Sequence, residues 1–379
     1  MTTLDVPADP SSLVEARPTR RVLTICDRRF PVRHLRHPQR IDGVMPVVGP
    51  DGARRVPTPG EFAVLASTAD VVHLHGGYGD RSPEQLEEFV AALRRHDVPL
   101  VFTVQQLRNV WHRDRALGDA QLEVLVPAAD VVTTFTGGAA REIAERWDRE
   151  AVVIPHPHVV PASELSIPRQ PRDGFVVGMP LDDAPTAMDP EPVIDAVAAV
   201  ARQYGDMRFV VHVHRDIDDD GRPGRDVDLL PWLAHRAIDG DFRVVMHDPF
   251  TPSERRAYLQ SLDAVVLSDR VSTHSDWVEA CYDAGTMPIV PNGGYFAEQR
   301  PSLVYIGNEE GFDWRSLSGA LETAYRERPC WRAEPGERRA ERIRIAERFR
   351  AIYDELAFGR GAAADTVIQL EHERGLGLG

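Results

Sequence analysis

Short apolar runs alternate with amphipathic stretches along almost the whole of this 379-residue chain. The runs at 22–26 and 98–104 predict buried strands, and residues 82–96 carry apolar side chains at the spacing of a helix. Strands that alternate with helices of this length form parallel sheets with helices on both faces. The series occurs twice, so the sequence predicts an α/β fold of two Rossmann-like domains that face each other across a cleft.

A proline-rich stretch at 155–171 separates the two series and predicts a break in regular structure. We therefore expect two domains joined by a linker, with irregular segments at both ends of the chain. The expected segments are a disordered N-terminus at 1–20, an N-terminal domain at 21–160, a linker at 161–173, a C-terminal domain at 174–335, a helix at 336–357 that packs back towards the N-terminal domain, and a flexible tail at 358–379.

The basic residues narrow the possible chemistry, because the chain has no lysine and all 44 of its basic residues are arginine. Schiff-base catalysis, pyridoxal-phosphate attachment and the phosphate-loop lysine are therefore excluded. An anionic ligand would have to be bound by arginine, histidine or a helix N-terminus. Three cysteines are too few and too scattered for a disulfide framework or a zinc site.

The formal net charge of −15 argues against nucleic acid and anionic membrane surfaces as partners. Every apolar run is shorter than the roughly 18 residues that a membrane-spanning helix needs, so we expect no stable membrane insertion. The first residues lack the basic-then-apolar pattern of a signal peptide, which favours a cytoplasmic location. The sequence leaves the oligomeric state open.

The segment 273–291 carries the most specific pattern in the chain. It predicts a loop, a helix that begins near His274 or Ser275, a stop at Gly285 and a buried strand. Free amides at the helix start would suit a phosphate or sugar oxygen, and Glu279 lies one turn further on. A carboxylate there can accept two vicinal ribose hydroxyls, although the same pattern fits an ordinary surface glutamate.

These residues resemble the C-terminal domain of retaining glycosyltransferases with the GT-B fold, the family-4-like group (glycosyl transferases group 1). Glu279, Gly285 and residues 288–290 match the second half of that family's motif, and residues 292–295 match the loop after it. The similarity continues in order over roughly residues 20–357. Its other matching segments are 70–75, 100–104, 129–146, 153–155 and 259–267.

The resemblance implies transfer of a sugar from a nucleotide-diphosphate sugar to a small hydroxyl-bearing acceptor, with retention and without a metal or other cofactor. The C-terminal domain would bind the donor and the N-terminal domain the acceptor. We assign the reacting groups to His75, Gln105 and Arg270. We assign donor binding to His274, Ser275, Asp276, Glu279, Asn292, Gly293, Gly294, Tyr295 and Arg215.

The chain also departs from the family pattern. Val271 stands where the family's first glutamate would touch the donor sugar, and Gln105 replaces a histidine. The arginine and lysine that usually hold the diphosphate are absent after Gly178, so Arg270, His274 and Arg215 are the nearest replacements. Two alternatives stay open: a noncatalytic GT-B relative that binds a nucleotide sugar or a partner, and an isomerase similar to nucleotide-sugar 2-epimerases.

Two loops of the N-terminal half are candidates for acceptor or phosphate contacts. One follows the first predicted strand and contains Arg28, Arg29 and Arg33, which could also be a solvated run of charge. The other contains Gly76, Gly77 and Tyr78; its glycines would allow a ligand to approach the backbone closely, or form a plain tight turn.

Three His-x-His pairs occur, at 73/75, 156/158 and 212/214. On a strand this spacing aims both rings at one face, which is compatible with a metal. A third ligand at a recognisable spacing is missing, so the sequence predicts no metal site.

Overall fold

A computed structural model describes residues 19–26, 44–47, 55–108, 115–181, 189–218, 227–238 and 240–358. Within these residues the N-terminal half forms a parallel sheet of six strands in the order β2-β1-β3-β4-β5-β6. Its strands are β1 (Arg20–Ile25), β2 (Val44–Val47), β3 (Val71–Leu74), β4 (Leu100–Thr103), β5 (Val131–Thr134) and β6 (Ala151–Val153).

The C-terminal half forms a second parallel sheet of six strands, in the order β12-β11-β10-β7-β8-β9. Its strands are β7 (Phe175–Leu181), β8 (Met207–His214), β9 (Arg243–His247), β10 (Ala264–Val266), β11 (Met287–Pro291) and β12 (Leu303–Tyr305). A short antiparallel pair follows, formed by β13 (Gly307–Asn308) and β14 (Gly311–Phe312).

Helices connect these strands and cover both sheets. They are α1 (Pro59–Ala66), α2 (Pro83–Arg95), α3 (Arg115–Ala128), α4 (Gly137–Trp147), α5 (Pro190–Ala201), α6 (Leu229–Ala237), α7 (Pro252–Gln260), α8 (Asp276–Ala284), α9 (Phe296–Gln299), α10 (Trp314–Glu327) and α11 (Pro335–Phe358). None of the described helices combines the length and the apolar composition that crossing a bilayer requires.

Local sequence explains where several helices begin. Thr58, Ser82 and Thr251 each accept a hydrogen bond from the amide three residues later, and each is followed by proline. The glutamate or glutamine at that third position binds back to the capping residue, which completes a capping box. The predicted helix start at Ser82 and Pro83 is confirmed.

The last helix, α11, packs against the first sheet rather than the second. Ile345, Phe349 and Tyr353 form one buried cluster with Val71 and Val101. The Tyr353 hydroxyl also lies 2.6 Å from Nδ1 of His73 on β3. The chain therefore crosses between the two halves twice, once after β6 and again before α11.

The predicted fold class, two Rossmann-like parallel sheets with surrounding helices, is confirmed. Strand β2 was not predicted. It is a four-residue edge strand that contains Pro46, and proline is tolerated at a sheet edge although it weakens the strand signal in a sequence.

Candidate functional site

The site lies where the carboxyl ends of the two sheets approach each other. In sheets of this kind ligands bind outside those ends, where the order of the strands reverses. Gln105 follows β4 and Thr136 follows β5 in the first half, whereas Arg270 follows β10 and Asn292 follows β11 in the second. The loops that carry the predicted site residues are therefore on the facing edges.

Two of these loops are joined by direct hydrogen bonds. The Leu107 amide donates to the Thr273 hydroxyl at 2.7 Å, and the Thr273 amide donates to Oε1 of Gln106 at 2.6 Å. The Gln106 amide nitrogen donates to the His274 carbonyl at 2.9 Å. The acceptor-side loop after β4 and the donor-side loop before α8 thus touch each other.

His274 lies inside this contact and is 4% exposed. Its Nδ1 is 2.8 Å from the Gln105 carbonyl, which can only accept, so Nδ1 carries the proton and Nε2 accepts from the Thr136 hydroxyl at 2.9 Å. Burial lowers the pKa of His274 to about 4. The ring is neutral at pH 7 and carries no full positive charge for a phosphate.

Helix α8 begins at Asp276, one residue after the later of the two predicted starts, with Ser275 as its capping residue. The Ser275 hydroxyl accepts from the Trp277 amide, and the Ser275 amide donates to Oε1 of Gln299 at 3.0 Å. Asp276 forms an ion pair with Arg255 at 2.5 Å. Two amides and one carboxylate at this helix start therefore already have protein partners.

Glu279 is 1% exposed and does not line an open surface. Its Oε2 accepts from Arg300 at 2.9 Å and from Arg338 at 2.7 Å, and its Oε1 accepts from Gln299 at 3.2 Å. Burial alone would raise the pKa of Glu279, but the two guanidinium groups outweigh it and hold the pKa below its ordinary value. The carboxylate belongs to a buried ion network, whereas the sequence predicts a ribose ligand.

Asp283 completes this network, which we call the Glu279 network and define as Glu279, Asp283, Arg300, Arg338 and Glu341. Asp283 accepts from Arg338 at 2.8 Å, and its other oxygen accepts from the amides of 159 and 160 in the segment after β6. Burial raises the pKa of Asp283 to about 6. The network therefore joins α8, α11 and the segment after β6, which meet between the two halves.

The loop 292–295 crosses closely over the segment 270–273. A Cβ at Gly293 would lie 2.3 Å from the Arg270 carbonyl oxygen, and a Cβ at Gly294 would lie 2.1 Å from the Ser272 carbonyl oxygen. Asn292 anchors the loop by accepting from the Gly307 amide at 3.0 Å. The two glycines are thus required by backbone packing.

A cavity of about 170 Å³ lies beside this loop, between the two halves. The N-terminal half contributes Leu107, Arg108 and Glu142. The residues from the C-terminal half are Val271, Thr273, Asn292, Gly293, Gly294, Tyr295 and Glu309. The cavity brings together four of the predicted donor residues with Arg108, Glu142 and Glu309, which the sequence did not single out.

Several solved structures of glycosyltransferases have a similar arrangement. The chain superimposes on HepE from Anabaena in complex with UDP with a TM-score of 0.55 and 13% identity, covering 93% of this chain and 100% of that one. Sucrose-phosphate synthase from Thermosynechococcus elongatus gives a TM-score of 0.50 and 17% identity, with coverage of 88% and 83%. A trehalose-6-phosphate synthase gives a TM-score of 0.52 and 14% identity, covering 76% of this chain and 73% of that one.

The chain has the GT-B fold. No protein-family model matches the sequence, and no curated protein does. At these identities the likeness concerns the fold, so the roles of individual residues in this GT-B protein depend on its own geometry.

Arg270 and the donor candidate Arg215 are not among the residues that line the cavity. Arg270 forms an ion pair with Asp189 at 3.1 Å and donates to the Asn308 carbonyl at 3.2 Å. Its side chain is 39% exposed, so part of the guanidinium remains accessible. Arg215 lies after β8, where it is exposed and pairs with Asp248 at 2.8 Å.

The acceptor-side candidates lie at the end of β3. His75 is buried, and its ring lies 3.9 Å from that of His73, centroid to centroid. Gly77 has a φ of 77°, so it needs the left-handed conformation that glycine adopts easily, and Tyr78 packs edge-on against Phe102. Gly76 lies between His75 and Gly77 in this turn. Arg28, Arg29 and Arg33 lie outside the described residues.

Histidines of two of the three His-x-His pairs, 73/75 and 156/158, form local hydrogen bonds. His73 bonds to Thr103 at 2.7 Å, and Nδ1 of His158 lies 2.7 Å from the carbonyl of residue 160. Within the described part of the chain, no group of three or more histidine, cysteine or acidic side chains has the geometry of a metal site.

Proposed function

We propose that this GT-B protein transfers a sugar from a nucleotide-diphosphate sugar to a hydroxyl group of a small acceptor. The observation that carries the proposal is the cavity between the two halves, which is lined by polar groups from both carboxyl edges. A two-substrate transfer needs such a place, since donor and acceptor must approach each other away from bulk water. UDP is present in the HepE structure, which has the same fold over 93% of this chain.

In this proposal each sheet binds one of the two substrates. The donor nucleotide would bind at the carboxyl edge of the second sheet, beside Arg270 and the start of α8. The acceptor would bind at the edge of the first sheet, beside His75, Tyr78 and Gln105. In the proposed step the sugar–phosphate bond breaks, the acceptor oxygen bonds to the sugar carbon, and the acceptor proton passes to the departing phosphate oxygen.

Retention of configuration and membership of the family-4-like group are part of this proposal and derive from the motif around Glu279. The proposal includes no metal or cofactor. The charge of the departing diphosphate would then be met by the accessible part of the Arg270 guanidinium, since the Ser275 and Trp277 amides at the start of α8 already have protein partners.

A thermal-shift screen with UDP, GDP, ADP and their glucose conjugates tests donor binding. We expect one nucleotide family to raise the melting temperature of the wild type, since a ligand that binds only the folded state stabilises it. Arg270→Ala should reduce this shift for both the nucleotide and its sugar conjugate. The matched control is Arg315→Ala, at an exposed arginine of α10. Absence of a shift with every nucleotide and conjugate would contradict the proposal.

Transfer is then measured as release of the nucleoside diphosphate in the presence of hydroxyl-bearing acceptors. The anomeric configuration of the product, measured by NMR, tests retention. Glu279 is a poor choice for such a test, because its removal would break the buried ion pairs with Arg300 and Arg338 and so disturb the fold.

The hydrogen bonds between the loops at 105–107 and 273–274 favour one second candidate, a noncatalytic GT-B protein that binds a nucleotide sugar or a partner. These bonds close the direct path between the two edges. Donor binding with no release of nucleoside diphosphate, whatever the acceptor, would select this candidate.

A further inference from the structure

Glu142 and Arg108 are the two charged groups that the N-terminal half places at the cavity. Glu142 lies on α4, and its Oε1 accepts from Arg108 at 3.0 Å and from Arg146 at 3.3 Å. Its Oε2 accepts from the Tyr295 hydroxyl of the opposite half at 3.0 Å. The side chain is still 22% exposed, so its carboxylate remains reachable from the cavity.

The hydrogen-bonding capacity of this pair is only partly used. A carboxylate offers about four lone-pair sites, and Glu142 has three hydrogen-bond donors among the described residues. Arg108 uses Nη1 for Glu142 and for the Leu107 carbonyl, whereas its buried Nε has no hydrogen-bond partner among the described residues. Nε lies 3.7 Å from a carboxylate oxygen of Glu309. Nη2 makes no hydrogen bond to the described residues, and the Arg108 side chain is 23% exposed. One acceptor site on Glu142 and the Nη2 donors of Arg108 are therefore left beside the cavity.

The other walls of the cavity offer a ligand no further unpaired charge. Val271, Gly293 and Gly294 have no polar side-chain atoms, and Asn292 uses its oxygen to hold the Gly307 amide, which leaves its amide nitrogen. The Thr273 hydroxyl already accepts from the Leu107 amide. Glu309 is 46% exposed and pairs with Arg115 at 3.2 Å, which places it at the outer rim. The charged contacts inside the cavity thus come from Arg108 and Glu142.

The ion pairs at the cavity favour a neutral ligand group over an anionic one. Glu142 and Glu309 already pair with Arg108, Arg146 and Arg115, so a phosphate would have to compete with these carboxylates for each guanidinium. A pair of sugar hydroxyls matches both available groups, since one hydroxyl can donate to Glu142 while the other accepts from Nη2 of Arg108.

We propose that Arg108 and Glu142 bind hydroxyls of the donor sugar and so determine which sugar the protein accepts. This inference rests on the proposed function. It places the sugar against a residue pair of the N-terminal half, opposite Val271, so that one ligand contacts both halves. Tyr295 then links the sugar-binding carboxylate to the loop 292–295 of the other half.

Isothermal titration of Glu142→Gln with the nucleoside diphosphate and with its sugar conjugate tests the inference. Glutamine keeps the size of the side chain and an oxygen that can accept from Tyr295. We expect the affinity for the conjugate to fall about tenfold, as for loss of a hydrogen bond to a charged group, while the affinity for the nucleotide alone changes less than about twofold. Glu145→Gln, at an exposed glutamate of the same helix, is the matched control.

The possible results separate the two proposals. Equal losses for nucleotide and conjugate, or no loss for either, would overturn the sugar contact while leaving donor binding intact. Failure of the wild type to bind any nucleotide sugar would overturn the proposed function and this inference together. If Glu142→Gln does not fold, Arg108→Gln provides the same comparison, and it should also weaken only the conjugate.

Discussion

Two glutamates near the junction of the halves have similar sets of partners but differ in burial, and burial changes what each of them can do. Glu279 and Glu142 each bind two arginines and one further hydrogen-bond donor. Glu279 is 1% exposed, whereas the Glu142 side chain is 22% exposed and borders a cavity. The first therefore holds segments of the protein together, and the second is available to a ligand.

The energetic difference follows from desolvation. A buried charge costs several kcal/mol to remove from water, so Glu279 depends on Arg338 and Arg300 for its charged state. Water reaches Glu142, and its charge survives loss of any single partner at a smaller cost. Removing one hydrogen-bond partner of Glu279 and one of Glu142 therefore tests whether burial makes the first loss larger.

The largest effect is expected for Arg338→Met. The variant would leave Glu279 and Asp283 without their shared arginine inside the protein. Breaking a buried pair by removing one partner costs about 3–5 kcal/mol, and we expect that loss in the free energy of unfolding measured with urea. Arg339→Met changes the neighbouring exposed arginine of α11 and should stay within about 0.5 kcal/mol of the wild type. Equal losses of unfolding free energy in both variants would show that the Glu279 network does not stabilise the protein more than an exposed arginine does.

An intermediate effect is expected from the titration of His274. Its folded-state pKa of about 4 lies below the ordinary value of 6.5, so the unfolded chain binds a proton first as the pH falls. Stability from this group is present above pH 6.5 and is lost as the pH drops to 4, by up to about 3 kcal/mol. His274→Asn keeps a neutral hydrogen-bonding group and removes the titration.

The measurement is the difference in unfolding free energy between wild type and His274→Asn at several pH values. The difference should shift in favour of the variant as the pH falls from 6.5 to 4. His156 and Glu279 also act on His274, and they are present in both proteins. Asp283 has the opposite effect on stability: its raised pKa means that the folded state binds a proton first, so its contribution grows as the pH falls towards 5. Asp283 is present in both proteins, so its effect cancels in the difference. His235→Asn, at an exposed histidine of α6, supplies the baseline.

The smallest effect is expected for Tyr295→Phe, which removes the hydrogen bond from Tyr295 to Glu142. The bond joins partly exposed groups, so we expect a loss of about 1 kcal/mol in the free energy of unfolding. Tyr325→Phe also removes a tyrosine–carboxylate hydrogen bond, within the C-terminal half, and serves as the control. A loss as large as that of Arg338→Met would remove the distinction between the two regions.

Much of the fold is local in origin and could be predicted. The helix at 276–284 and its stop at Gly285 follow from the capping serine and from a glycine that adopts a φ of 74°. The buried strands of both sheets follow from short apolar runs, and the two series of alternating elements give the two domains. Strand β2 escaped prediction because its pairing with β1 at the sheet edge is a long-range property.

The site was predictable only in outline. Sequence placed the loops after β4, β10 and β11 at the facing edges, since parallel strands present their carboxyl ends together. It did not single out Arg108, Glu142 or Glu309, because glutamate and arginine on a helix or loop are usually solvated.

The sequence by itself determined the alternating elements, the two parallel sheets, the exclusion of lysine chemistry and the position of the helix after residue 275. Only the tertiary structure decided which charges are buried and which border the cavity. Glu279 meets its partner Arg338 across 59 positions, and the Thr273 hydroxyl meets the Leu107 amide across 166. Periodicity records which face of an element is apolar, whereas the partner and the burial of a charged side chain depend on packing between distant segments.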